Sequence, residues 1–201
     1  MKKEIFRNYL KKISKEKKME LFQKYHQFLL EENAMINLVS RKTNPEDFWT
    51  IHFLDSILLT EHFDFSNKKI LDFGTGGGLP GIPLKILYPN AEVYLLDSRQ
   101  KKMQSVEKII KKLDLKRCFT IVSRLEDMDE EWLKSFDVIV CRSVKILPKF
   151  KKWMLKLLKD DGEIILYKSK KMDDVEQFTK VEIFNVSHPE IGERKIVRIR
   201  K

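Results

Sequence analysis

Glycine is scarce in this chain: there are seven in 201 residues, and five of them fall in one fourteen-residue stretch, "LDFGTGGGLPGIPL" (71–84). Cysteine is scarcer. Cys118 and Cys141 lie in separate apolar runs without metal-ligand spacing, which argues against a disulfide framework or a metal site and fits two reduced core residues of a cytoplasmic protein. No apolar run approaches the roughly 20 residues of a membrane span. The opening "MKKEIFRNYLKK" is basic but has no apolar stretch of a signal peptide behind it. Neither a membrane nor a metal is expected as a partner.

Charge is abundant. Lys and Arg number 40 against 30 Asp and Glu, a formal net charge of +10. A basic chain suits a polyanion, RNA or DNA before a membrane surface. The lysines are spread along the whole chain, however, and lysine-rich proteomes make many ordinary enzymes basic. At 201 residues the chain is long enough for one domain with a buried core, with room for a short appendage. A monomer is expected.

The first third is helical in pattern. From Ser14 to Asn37, Leu21, Phe22, Tyr25, Phe28, Leu29 and Met35 recur at three- and four-residue steps. Asn44-Pro45-Glu46-Asp47 reads as a helix start with a capping Asn, a first-turn Pro and acids at the positive end of the dipole; that helix is expected to reach about Leu59. After Ser66-Asn67 short strands alternate with helices: "KILDF", "AEVYLLD", "CFTIVS", "FDVIVC" and "EIILYK", with helices over Ile82–Leu87, Arg99–Leu113 and Pro148–Leu158. "VEIFNV" and "RKIVRIR" close the chain as an antiparallel edge hairpin. The expected fold class is α/β, a doubly wound Rossmann-like sheet over 67–201 with an N-terminal helical segment, 1–66, packed on it.

Such sheets bind ligands at the carboxyl ends of their strands, near the point where the strand order reverses. The glycine stretch leaves the first strand there. Gly76-x-Gly78-x-x-Gly81 matches the dinucleotide fingerprint, yet the first glycine after the strand is Gly74, giving Gly74-x-Gly76-x-Gly78. Asp72, inside the strand, is a buried carboxylate that needs a cation or donors. The methionine ammonium of S-adenosylmethionine fits it, where a dinucleotide pyrophosphate is repelled. Asp97, closing the second strand, can accept both ribose hydroxyls of an adenosine, or merely cap the next helix. "SRLED" after the third strand offers Leu125 as an apolar wall and Glu126 as a polar partner for adenine.

"NLVS" (37–40), "HFLDS" (52–56), "LDFGTGGGLPGIPL" (71–84), "LLDS" (95–98), "SRLED" (123–127), "CRS" (141–143) and "GERKIVRI" (192–199) together resemble the glucose-inhibited division protein B family. The resemblance runs from about residue 20 to the end. It implies a class I methyltransferase fold and a bacterial enzyme that moves the methyl of S-adenosylmethionine to N7 of a guanine in 16S ribosomal RNA of the small subunit. It places cofactor contacts on Gly74, Leu79, Leu125, Glu126 and Arg142. Two positions depart from the family pattern: Ser143 follows Arg142 where alanine is usual, and Ser169 follows Lys168 where glycine is usual.

The chemistry agrees with the residues present. Guanine N7 has a lone pair and no proton to lose, so its methylation needs no general base, only alignment and exclusion of water. No Asn/Asp-Pro-Pro-aromatic run for exocyclic amines and no Pro-Cys nucleophile occurs. Arg142, ending the fourth strand, is the residue expected to orient the base, or else a rim salt bridge. His52, Asp55 and Ser56 at i, i+3 and i+4 share a helix face, as substrate contacts or as a structural His–Asp pair. Lys168, Arg194 and the lysines of "LPKFKKW" are candidate phosphate contacts. A nicotinamide oxidoreductase and a non-catalytic rRNA-binding assembly factor are the competing readings.

Overall fold

The computed structural model describes residues 1–169 and 172–201. Five strands, β1 (Lys69–Phe73), β2 (Glu92–Asp97), β3 (Cys118–Val122), β4 (Phe136–Arg142) and β5 (Leu158–Lys168), pair in parallel. β6 (Val181–His188) and β7 (Gly192–Arg200) form the closing hairpin, and the sheet order is β3-β2-β1-β4-β5-β7-β6. The hairpin is thus threaded inward: β7 pairs antiparallel with β5 and leaves β6 at the edge. The order reverses between β1 and β4, which sets the carboxyl ends of these two strands at the switch point.

The central strands are almost continuously apolar because both faces are covered. Neighbours along β1 go to opposite sides: Ile70 joins the core shared with the N-terminal helices, and Leu71 joins the core under α6 (Pro148–Leu157). α4 (Gly81–Leu87) and α5 (Gln100–Lys112) follow β1 and β2, and α5 buries the expected Met103, Val106, Ile109 and Ile110. β5 begins at Leu158, directly after α6, so Asp160-Asp161-Gly162 lies in the strand.

The N-terminal third differs in detail from its pattern. The helical pattern over Ser14–Asn37 becomes α2 (Met19–Met35), and a further helix, α1 (Lys2–Lys12), precedes it, with Ser14 at φ 58 turning between them. Asn44 caps as expected, its Oδ1 accepting from Glu46 N at 2.9 Å. Beyond it the winding is uneven: a 3-10 turn Pro45–Asp47, a π-helical stretch Trp49–Leu54, α3 (Asp55–Ile57) and a further 3-10 turn Leu58–Glu61. Phe48 and Phe53 are both fully buried, and turning residues five apart to one side is what the wider π winding does. Phe53 stacks on Tyr25 at 5.1 Å between centroids and meets Phe6 and Phe22.

This helical segment seats on the glycine loop. Tyr25 Oη donates to Gly77 O at 2.9 Å. Asn33 Oδ1 accepts from Leu38 N and Val39 N and so holds the 37–40 segment against the loop, where a Cβ on Gly77 would stand 3.2 Å from Leu29 and Val39 side-chain carbons. The bare backbone is thus used mainly against protein. At Gly81 a Cβ would fall 2.2 Å from Leu95 Cδ2 and 2.7 Å from Asp72 Oδ2. Gly81→Ala is therefore expected to destabilise the fold by about 1–3 kcal/mol, the usual range for overpacking; a wild-type urea midpoint for this variant would contradict the packing.

Candidate active site

Asp72 lies in β1 with no exposed surface. Its Oδ2 accepts from Thr75 Oγ1 at 2.6 Å and from Gly81 N at 2.8 Å, so one oxygen ties both ends of the glycine loop; among the described residues Oδ1 is buried without a partner. Burial pushes the carboxyl up to about 6, against the pull of Thr75 and Gly81. The residue stands behind the loop and is not among those lining the adjacent cavity. Its observed partners are loop groups.

That cavity, about 480 Å³, opens at the carboxyl ends of β1, β2 and β4. It brings together Gly74, Asp97, Leu125, Glu126 and Arg142 of the expected site. Gly74 has φ 75, and a Cβ on it would lie 2.6 Å from Val144 Cγ2. Leu125 is buried, and Phe73, Leu96 and Phe150 add apolar wall. Glu126 is paired with Lys149 at 2.6 Å, which holds its carboxyl below the usual range. Gly76, Gly78 and Leu79 lie outside the lining. Gly76 N donates to Asp97 Oδ2 at 3.3 Å, Gly78 (φ 91) is packed on Ile82, and Leu79 is buried in the core.

Asp97 already has partners. Its side chain is 5% exposed, and Arg99 takes both oxygens, Nε to Oδ1 and Nη2 to Oδ2 at 3.0 Å each, with Arg99 N on Oδ1 as well. Burial works to raise this carboxyl, but the Arg99 fork and the backbone donors hold it below its ordinary value. Arg99 was missed in the sequence, where "DSRQKK" reads as a helix start. Its position two residues past an acid at a strand end was the available signal.

A second cleft, about 690 Å³, shares Arg142, Ser143 and Val144 with the first. It collects His52, Asp55, Lys168 and Arg194. Arg142 Nη1 donates to Asp55 Oδ2 at 3.1 Å and to His52 O at 3.2 Å, and Arg194 Nε donates to Asp55 Oδ1 at 2.8 Å. The alternative of a His52–Asp55 pair is therefore corrected: Asp55 meets arginines, because the π winding departs from α-helical spacing. Among the described residues His52 Nε2 is buried without a partner, and burial, assisted by Arg142, lowers the imidazole to about 4. Ser56 is buried outside the cleft, its Oγ donating to His52 O at 2.6 Å. Lys168 is ion-paired with Asp174 and only 10% exposed, so it is no free phosphate ligand. Tyr167, absent from the sequence reading, donates to Ser56 O at 2.8 Å. Among the described residues no group of three or more His, Cys, Asp or Glu could hold a metal ion, and no helix is long and apolar enough to cross a membrane.

An open parallel sheet with a glycine loop after β1, an acid ending β2 and a cavity between them is the arrangement of class I S-adenosylmethionine-dependent methyltransferases. Solved structures agree on the fold. A tRNA (m1A58) methyltransferase from Aquifex aeolicus aligns with TM-score 0.59 at 16% identity over 73% of this chain and 68% of that one. A Burkholderia thailandensis N1-methyltransferase with bound S-adenosylhomocysteine gives 0.57 at 16% over 77% and 81%. Within this class the chain belongs to the rRNA small subunit methyltransferase G (GidB) family, which matches residues 18–195, and the resemblance read from the motifs is borne out. It is 35% identical over 188 residues to ribosomal RNA small subunit methyltransferase G of Mesoplasma florum (90% of this chain, 79% of the relative). It is 40% identical over 152 residues to the protein of that name from Desulfitobacterium hafniense. That match takes in 75% of this chain and 62% of the relative, so the chain spans less than two thirds of some relatives it matches. The nicotinamide reading is not favoured.

Asp72 carries a pH consequence. Its folded-state pKa of about 6 lies above the usual aspartate value of about 3.9. The charged carboxylate therefore opposes folding above about pH 6, and the penalty fades as pH falls toward about 4. Asp72→Asn keeps an acceptor for Thr75 and Gly81 and removes the buried charge. Its stability advantage over the wild type is expected to be largest near pH 7–8 and to shrink on acidification, as urea midpoints at each pH would record; an advantage that grew toward pH 4 would contradict the assignment.

Proposed function

We propose that this chain transfers the methyl group of S-adenosylmethionine to N7 of a guanine in 16S ribosomal RNA of the small subunit. Membership of the family, whose named members are rRNA small subunit methyltransferases, carries the reading. The adjoining cavities give it a place. A pocket of about 480 Å³ falls in the range of roughly 300–1,000 Å³ usual for small-molecule sites, and its acid and apolar wall suit an adenosine. The neighbouring cleft carries Arg142 and Arg194, a setting for an anionic polymer.

Asp97 is the residue that takes the ribose hydroxyls, after the Arg99 fork turns out into solvent, where 61% of that side chain already lies. Leu125, Leu96 and Phe150 sandwich the adenine, with Glu126 at its polar edge. Gly74 lets Val144 close against the loop, and together they form the wall between cofactor and base. Asp72 acts through the loop it ties. When bound, S-adenosylmethionine supplies an electrophilic methyl on a sulfonium. The protein's share is to hold N7 in line with it and keep water out, which is where positioning lowers a barrier without proton transfer. Arg142, lining both cavities, orients the base or its phosphate at that boundary, and Arg194 contributes a phosphate contact.

The decisive experiment is incubation with methyl-labelled cofactor and small subunits from a strain lacking the gene. The label is then mapped by cleavage at 7-methylguanosine. Label confined to one guanine is expected, and no label above background would end the reading. Calorimetry separates the roles of Asp97 and Arg99. Asp97→Ala is expected to weaken S-adenosylmethionine binding by about 2 kcal/mol or more, roughly thirtyfold. Arg99→Ala, which removes the competitor, should bind at least as tightly as wild type. Equal weakening in both variants would make the pair structural.

A further inference from the structure

One carboxylate in the second cleft carries two arginines from different strands. Asp55 comes from the helical segment, Arg142 from the end of β4 and Arg194 from the start of β7. The Asp55 and Arg142 side chains are 12% and 11% exposed, and Arg194 is 30% exposed. Two guanidinium groups this close repel unless an anion lies between them, and a carboxylate this buried is costly unless both oxygens are taken. Each therefore requires the other. Arg142 makes both of its bonds, to Asp55 and His52, through Nη1; Arg194 uses Nε on Asp55 and Nη1 on Glu193 O. Among the described residues these bonds leave further N–H donors on both forks. The triad sums to one positive charge, and the neighbouring Lys168–Asp174 pair adds none.

We propose that Asp55 is a positioning residue that holds Arg142 and Arg194 at a fixed separation, so that their remaining donors grip one phosphate of the RNA beside the reacting guanine. The charge left over matches a single phosphodiester, and paired planar forks are the geometry that phosphate oxygens select. The proposal rests on the reading of the substrate as RNA. It differs from a purely structural tie between the helical segment and the sheet, because it makes turnover, and not stability alone, depend on the charge of Asp55.

Asp55→Asn tests it with the labelled small subunits. The amide oxygen can accept from one arginine, while its NH2 group faces the other and cannot hold it. At saturating S-adenosylmethionine and subunits, kcat is expected to fall at least tenfold, with cofactor affinity unchanged within twofold. RNA affinity should not weaken, since the variant gains a positive charge and the counterion-release contribution with it. A kcat within threefold of wild type overturns the proposal, and so does a loss of kcat that only follows a loss of folded protein or of cofactor affinity. Where Asp55→Asn does not fold, Asp55→Glu keeps the charge but moves it by a methylene. Several-fold lower kcat at unchanged cofactor affinity is then expected, and wild-type kcat overturns. A double-mutant cycle with Arg194→Gln adds a second readout: the double variant should be no slower than Asp55→Asn alone, and losses that multiply would mean the two act independently. A wild-type protein that transfers no label overturns this proposal together with the function it rests on. An active wild type with an unimpaired Asp55→Asn overturns this one alone.

Discussion

Asp72 Oδ2 accepts from Thr75 on one side of the glycine loop and from Gly81 on the other, and this pair of bonds fixes where the chain leaves β1 and where α4 begins. The loop between them then has little choice of path. Gly74 N and Thr75 N reach across to Leu96 O at the end of β2, Gly76 N reaches Asp97, and Gly77 O receives Tyr25 from the helical segment. A fully buried carboxylate is costly to keep. What it holds here is a common origin for β1, β2, α4 and the N-terminal helices, and the cavity that Gly74 and Asp97 line opens beside that origin.

Much of the fold was legible because the central strands leave an unambiguous trace. "KILDF" and "FDVIVC" are short apolar runs bounded by polar residues, and a sheet covered on both faces requires such runs. Asp97, Leu125 and Arg142 were legible for the related reason that strand ends near the reversal point are where ligands go. The rest was hidden in pairings that spacing does not encode. Nothing local says that Gly81 N meets Asp72, or that Arg99 folds back onto Asp97. The helical stretch after Asn44 was legible in its start and extent but not in its winding, because the π turn answers to Phe48 and Phe53 packing against α1 and α2, partners distant in sequence.

The two cavities meet at Arg142, Ser143 and Val144, so their common wall is the turn that ends β4. Ser143 adopts φ 61, a left-handed conformation uncommon outside glycine. The backbone here turns away at once instead of extending β4, which leaves this short turn as the wall that both cavities share. The helical segment supplies the opposite side through His52 and Asp55. The candidate site is therefore built across the seam between the helical segment and the sheet, not on the sheet alone.

The Arg99–Asp97 pair has a consequence for ionic strength. Most of the Arg99 side chain lies in solvent while Asp97 is almost wholly buried, so dissolved salt reaches the arginine far more readily than the acid. On the proposed reading, raising salt loosens the internal competitor and favours the neutral ribose at Asp97. The same salt weakens attachment to a polyanion through counterion release. The two substrates of one reaction would then respond to the ionic medium with opposite signs, and turnover would peak at an intermediate salt concentration rather than fall steadily from the lowest.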